Sequence, residues 1–199
     1  MNLDGVRRHA PATIGEAERR AAVLAPVVDR GGTPHVLFTK RADHLGSHPG
    51  QMSFPGGGVE AEDADLKATA LREADEEIGL RPGEVEVVGR LDDVETVSDY
   101  VVTPFVGTVP DREYAPSDGE VAEIAVLPVA ELTDRANYES ARREHPRYGD
   151  VRIHFFRVGG YTVWGVTGGM VVQLLELATD WRMPDEVDRV VDPDADLPT

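Results

Sequence analysis

The sequence predicts an α/β fold, a sandwich with helices on either side of a mixed β-sheet. Three observations carry this. Apolar runs of strand length recur along the chain, at Val23 to Val28, His35 to Thr39, Val85 to Leu91, Val101 to Val109 and Val121 to Leu127. An amphipathic helix, Asp65 to Ile78, interrupts them in mid-sequence. A second segment with helical spacing of Val171, Leu174, Leu175 and Ala178 runs from Gly165 to Thr179.

The elements follow in order. Residues 16 to 22 are expected to form a short leading helix. The strand at Val23 turns at Arg30-Gly31-Gly32-Thr33-Pro34 and returns from His35. Met52 to Phe54 is a short strand that enters a glycine turn. In the mid-chain helix, Leu66, Ala70, Leu71, Ala74 and Ile78 form the packing face, and Gly79 stops the helix. A short helix from Pro128 to Leu132 follows the Val121 strand. Residues 134 to 150 are polar and read as a loop. Arg152 to Val158 and Tyr161 to Trp164 form a hairpin around Gly159-Gly160. The domain division is then an N-terminal extension over 1–22, partly helical, one domain over 23–183, and a loose, acidic, Pro-containing tail over 184–199.

Composition narrows the function classes. Asp and Glu total 37 against 20 Lys and Arg, a formal net charge of −17 over 199 residues. That field repels nucleic acid and anionic membranes. No apolar run approaches the roughly 20 residues that span a bilayer, and the N-terminal stretch lacks a secretory apolar core. Cysteine is absent, which removes disulfides and thiolate metal sites. A cytoplasmic location is the expectation. Only Lys40 and Lys67 among the basic residues are lysine, and an acidic, lysine-poor surface suits a salty, halophilic cytoplasm.

Glu73, Glu76 and Glu77 stand at i, i+3 and i+4 of the mid-chain helix, so they share one side of it. Their repulsion costs roughly 0.2–0.5 kcal/mol per pair in an isolated helix, and a hard divalent cation removes that cost. Carboxylates are the ligands Mg²⁺ and Mn²⁺ prefer. Arg72 is placed to pair with a neighbouring carboxylate and hold its rotamer. Gly56, Gly57 and Gly58 permit a tight turn and close backbone approach to a ligand.

Residues 54 to 80, FPGGGVEAEDADLKATALREADEEIGL, resemble the Nudix box, whose core is Arg-Glu, two residues, Glu-Glu, one residue, Gly. The resemblance implies a Nudix fold, an α/β/α sandwich around a mixed sheet. It implies divalent-metal-dependent hydrolysis of a nucleoside-diphosphate-linked small molecule, with Glu73, Glu76, Glu77 and a backbone carbonyl at Gly57 as the metal ligands. Glu76 or Glu77 orients the water in this reading. Glu123, or Glu120 beside it, is the alternative general base. Homodimers occur in such families.

Upstream, LFTKRADHLGSHPGQMSFPGG over residues 37 to 57 looks like the signature of the coenzyme A pyrophosphatase branch. Leu37, Thr39, Arg41, Ala42, Gly50, Phe54, Pro55, Gly56 and Gly57 match it. Asp63, one residue further from Arg72 than the box's first acid, fits the same branch, as does Val163-Trp164-Gly165-Val166-Thr167. The implied reaction cuts coenzyme A to adenosine 3′,5′-bisphosphate and 4′-phosphopantetheine. Two positions depart from the branch: Phe38 replaces a Leu, and Gly46 replaces an Arg. Lys40, Arg41, His44 and His48 are the candidates to compensate at the phosphates, and Tyr100, Phe105 and Trp164 are candidate walls for the substrate. The departure at Gly46 keeps ADP-ribose, dinucleoside polyphosphates and nucleoside triphosphates open as substrates. A non-catalytic binding module is the third reading, against which the intact glutamates argue.

Overall fold

The computed structural model describes residues 1–45, 49–117 and 119–192. Gly46 and His48 lie outside the described residues, so their expected roles are not addressed by it. Among the described residues a mixed sheet of eight strands forms the centre. Its spine is β1 (Arg19–Arg30), which runs parallel to β7 (Tyr100–Val109) on one side. On the other side β1 pairs antiparallel with two partners in turn, the short β4 (Gly56–Gly58) and then β2 (Thr33–Arg41). β3 (Met52–Ser53) and β8 (Val121–Pro128) pair with β2, while β5 (Glu86–Arg90) and β6 (Val94–Glu95) pair with β7.

Both faces of β1 are covered, which is why it reads as a nearly unbroken apolar run. Ala22, Leu24 and Val28 face α2 (Leu66–Ile78), whose Ala70 and Ala74 let the helix backbone lie close to the sheet. Ala21, Ala25 and Val27 face the opposite core, with α4 (Gly165–Ala178) and the stacked pair Phe38 and Phe54, 5.0 Å between ring centroids. A proline inside a central strand removes a ladder donor. Pro26 is tolerated because it falls between the residues paired with β4 and those paired with β2. Pro104 of β7 uses the same gap, between its partners β6 and β5.

The sandwich agrees with the sequence reading, and several local expectations do not. Residues 16 to 22 form no helix: 19 to 22 belong to β1. The leading helix is instead α1 (Asp4–Arg8), five residues that pack under α4. The Glu-Ala-Arg composition of 16 to 22 favours helix locally, but pairing with β4 and β7 on both sides overrides it. Residues 134 to 150 are not a loop either. They hold β9 (Tyr138–His145), which joins β10 (Gly149–Val158) and β11 (Tyr161–Trp164) in a second sheet. The short helix α3 (Val129–Leu132) and the β10–β11 hairpin stand as expected.

The tail is anchored as far as Asp192. β12 (Arg189–Val190) lies parallel to β9. Asp188 accepts from the Ser140 amide at 2.8 Å, and Arg152 donates to the carbonyls of Pro184, Asp185 and Glu186. No helix of the described residues is long and apolar enough to cross a membrane.

One buried group sets an acid limit on this fold. His154 shares a 2.8 Å hydrogen bond with the Tyr138 hydroxyl. Burial, helped by the nearby Arg152 charge, brings its pKa down to about 4. The unfolded chain, with His near 6.5, binds the extra proton first as the pH drops. Stability is therefore lost on acidification through the window from 6.5 down to about 4. The full effect is on the order of 3 kcal/mol. In urea titrations His154→Gln should lose less stability than the parent between about pH 7 and about pH 5; equal losses would remove His154 from the account.

Candidate active site

The site is built where β4, α2 and the loop between them meet. Helix α2 starts sharply because Asp65 caps it, its carboxylate accepting from the Ala68 amide at 2.8 Å. It stops at Gly79 in the left-handed conformation, φ 63°. Between these ends Arg72 and the three glutamates are held at the glycine turn.

Arg72 is the hub. Its Nε donates to Asp63 Oδ1 at 3.0 Å and its Nη2 to Asp63 Oδ2 at 3.1 Å, a two-point fork. Nη2 also donates to the Gly58 carbonyl at 3.0 Å. Nη1 lies between Glu73 Oε1 and Glu76 Oε2, 3.0 Å from each, and Glu60 stands 3.8 Å away. Asp63 further accepts from the Glu60 amide and the Thr69 hydroxyl, both at 2.9 Å. The Arg72 guanidinium beside Asp63 holds its carboxyl well below the usual carboxylate range, and Asp63 in turn holds the Arg72 proton more tightly. Arg72 thus contacts Asp63, Glu73, Glu76 and the Gly58 carbonyl at once. Asp63 was not among the expected site residues. Its one-residue displacement from the box position was the available signal.

The three glutamates sit in different environments. Glu73 has a side chain only 16% exposed. Burial raises its pKa, against the lowering effect of Arg72. Glu76 is open to solvent. Glu77 does not share the solvent side: at 8% exposure it belongs to the packed stripe of α2 with Ala70, Ala74 and Ile78. The expectation of a helix face wholly opposite the apolar one is corrected here. Residues 70, 74, 77 and 78 follow the 3.6-residue period, and the carboxylate is tolerated there because it accepts the Gly56 amide at 3.3 Å.

The glycines have separate reasons. A Cβ on Gly56 would lie 2.4 Å from the Ala22 carbonyl oxygen and 2.5 Å from Val23 Cα, so backbone would have to move. A Cβ on Gly57 would lie 2.5 Å from Glu73 Oε1. There the obstacle is the end of a side chain, which can turn away. Gly57→Ala should accordingly leave the melting temperature nearly unchanged and push the Glu73 carboxylate off the turn, with a loss of metal affinity of about 10–100-fold. Calorimetric titration with Mn²⁺ checks this; unaltered affinity would mean that Glu73 does not bind from that position.

The hard-oxygen donor set fits Mg²⁺ or Mn²⁺. The Gly57 turn leaves room for the Glu73 carboxylate that a side chain would fill. Among the described residues no three acidic or histidine side chains converge on one point: Arg72 lies between Glu73 and Glu76, and Glu77 accepts from the Gly56 amide.

Other expected residues lie apart from this cluster. Glu123 of β8 follows the parity of Ala125 and Leu127, on the sheet face turned away from α2. It is exposed, accepts a short hydrogen bond from Tyr161 and pairs in register with Lys40. The structure does not bring it to the three glutamates. Arg41 pairs with Glu120 at 3.4 Å, and His44 is exposed. Phe105 packs beneath α2 and Trp164 stacks on Phe155, which leaves Tyr100 as the aromatic candidate that borders a recess near the turn.

A model of the NUDIX domain matches residues 18–148. The "Uncharacterized Nudix hydrolase NudL" of Enterobacter sp. (strain 638) is 43% identical over 160 residues, 78% of this chain and 81% of that protein. Its counterpart in Escherichia coli O1:K1 / APEC is 42% identical over 162 residues, with the same coverage. A MutT/nudix family protein from Enterococcus faecalis has a similar fold, TM-score 0.52 at 14% identity, over 86% of this chain and 64% of that one. By sequence and by fold, this chain belongs to the Nudix hydrolase family.

Proposed function

We propose that this Nudix hydrolase is a Mg²⁺- or Mn²⁺-dependent diphosphatase of coenzyme A or its acyl thioesters, releasing adenosine 3′,5′-bisphosphate and 4′-phosphopantetheine. The observation that carries the metal dependence is the charge count at Arg72: one guanidinium faces Asp63, Glu73, Glu76 and Glu60. The residual negative charge is what a divalent cation neutralises. Glu73, Glu76, Glu77 and the Gly57 carbonyl would hold it. A bound ion supplies charge stabilisation at the phosphoryl oxygens and lowers the pKa of water. The chain's own part is positional. Arg72 fixes Glu73 and Glu76 to the turn through Asp63 and Gly58. Glu76, the open carboxylate of the three, accepts the proton of the attacking water.

The choice of coenzyme A is supported by the way the two halves of the upstream signature close on each other. Thr39 and Lys40 pair with Ser53 and Met52. The Arg41 amide donates to the Gln51 carbonyl at 2.9 Å, and the Gly50 amide to the Arg41 carbonyl at 3.1 Å. This zipper leads within three residues into the glycine turn, which supports a role for Lys40 and Arg41 at the substrate phosphates. Gly46, where the branch carries Arg, favours the second reading, a Nudix pyrophosphatase for ADP-ribose or another nucleotide. Incubation with Mn²⁺ and coenzyme A, ADP-ribose or a nucleoside triphosphate, at low and high potassium chloride, separates the two. Release of adenosine 3′,5′-bisphosphate is the expected outcome, strongest at high salt where the acidic surface is screened. Turnover confined to ADP-ribose would replace the first reading with the second.

A further inference from the structure

A recess of about 590 Å³ opens beside the glycine turn, within the size range of small-molecule sites. Its walls include Arg19, Arg20, Gly58, Asp63, Leu66 and Tyr100. Gly58 and Asp63 are the two groups that grip Arg72, so the recess shares a wall with the active site.

The charges on that wall are unusual for this protein. In a chain of net charge −17, most arginines pair with carboxylates. Among the described residues, neither Arg19 nor Arg20 has a carboxylate within ion-pair distance. Arg20 Nη2 donates to the carbonyls of Ile14 and Gly15 at 2.6 and 2.5 Å. The Arg19 guanidinium carbon lies over the Tyr100 ring, 3.9 Å from its centroid; the side chain donates to the Tyr100 hydroxyl and reaches the Ser98 carbonyl at 3.5 Å. All these acceptors are neutral, so neither guanidinium is held in an ion pair among the described residues. Of the acids in the lining, Asp63 is ion-paired with Arg72, whereas Asp65 caps the first turn of α2 and keeps its charge. Glu18 is the remaining carboxylate. Against a surface that repels anions, a pair of guanidiniums outside any ion pair beside the site favours an anion there. The Tyr100 ring and hydroxyl fix the position of the Arg19 guanidinium at the wall of the recess.

We propose that this recess binds a phosphomonoester carried by the substrate beyond its diphosphate, with Arg19 as the direct contact and Arg20 as the supporting charge. The inference rests on the diphosphatase reading and specifies its substrate: a nucleotide with a third phosphate on the ribose. It makes residues ahead of the Nudix box the determinants of specificity, in place of the arginine missing at Gly46.

The test is calorimetric binding of adenosine 3′,5′-bisphosphate and of adenosine 5′-monophosphate to the full chain and to Arg19→Met, which keeps the aliphatic stem. The parent should bind the bisphosphate about tenfold or more tightly than the monophosphate, as one charged hydrogen bond provides. In Arg19→Met that ratio should fall to about one, with Arg19→Lys between the two. Melting curves confirm that the exposed Arg19 leaves the fold intact. Equal affinities in the parent, no measurable bisphosphate binding, or an unaltered ratio in Arg19→Met overturns the proposal. Turnover of coenzyme A and its 3′-dephospho form is compared in parallel, and the same collapse is expected in the ratio of kcat/KM. If the binding ratio behaves as stated while coenzyme A is not hydrolysed, the coenzyme A reading falls and the recess stands.

Discussion

Glu76→Gln should lower kcat by about 10²–10⁴-fold, the range associated with loss of a positioned proton acceptor, and leave the fold intact. The side chain is 55% exposed and its polar partner is Arg72. Gln keeps the shape and can still meet Arg72, so the change isolates one negative charge. Surface substitutions of this kind stay within about 0.5 kcal/mol of the parent. The decrease should therefore appear in turnover at saturating Mn²⁺ with a superimposable melting curve. Glu73→Gln differs in a useful way. Burial already raises the pKa of that carboxylate, so neutralising it should be mildly stabilising in the metal-free protein while activity collapses. Near-normal turnover in Glu76→Gln would move the proton acceptor to Glu77.

Asp63→Ala should be the most damaging single change outside the apolar core, at about 3–5 kcal/mol. Its side chain is only 4% exposed. It accepts both arms of Arg72, the Glu60 amide and the Thr69 hydroxyl. Removal leaves a guanidinium at 20% exposure without its main partner and frees the loop that leads into α2. Activity should fall as well, because Arg72 then no longer sets Glu73 and Glu76. The pH sign is definite. The folded pKa of Asp63 is lowered, so its contribution is complete above the ordinary carboxylate range, near 4, and fades only as the pH drops below that. At neutral pH urea titration should therefore read the whole difference. A loss below about 1 kcal/mol would mean that Arg72 and the loop hold without it. Arg72→Lys offers the complementary test: charge is retained, the fork is lost, and both stability and kcat should fall.

The most legible parts of the fold in the sequence were those whose local chemistry and final burial agree. Helix α2 has a capping Asp65, a left-handed Gly79 and an apolar stripe, and it lies one residue from its expected start. The β10–β11 hairpin turns at Gly159-Gly160 as read, and both glycines have positive φ. The misses share a physical cause. Strand β9, Tyr-Glu-Ser-Ala-Arg-Arg-Glu-His, exposes or half-exposes its charged half and buries Tyr138, Ser140 and Ala141. A strand of that composition is made by its partners β10 and β12 and carries no apolar alternation of its own. The same holds for the start of β1, where helix-favouring residues yield to two neighbours. In the site, Arg72, Glu73 and Glu76 were legible as a cluster from spacing alone. The burial of Glu77 and the separation of Glu123 were not, because both depend on which face of a sheet or helix meets a tertiary neighbour.

The parallel contact between β1 and β7 has a consequence for how the catalyst comes into being. It ties residues 19–28 to residues 100–109, a closure of roughly 80 positions that must precede much of the packing it rewards. Helix α2 lies within that loop and docks on β1. During synthesis its carboxylates therefore emerge from the ribosome before residues 100–109, and the platform that carries them is complete only once that long-range pairing has formed.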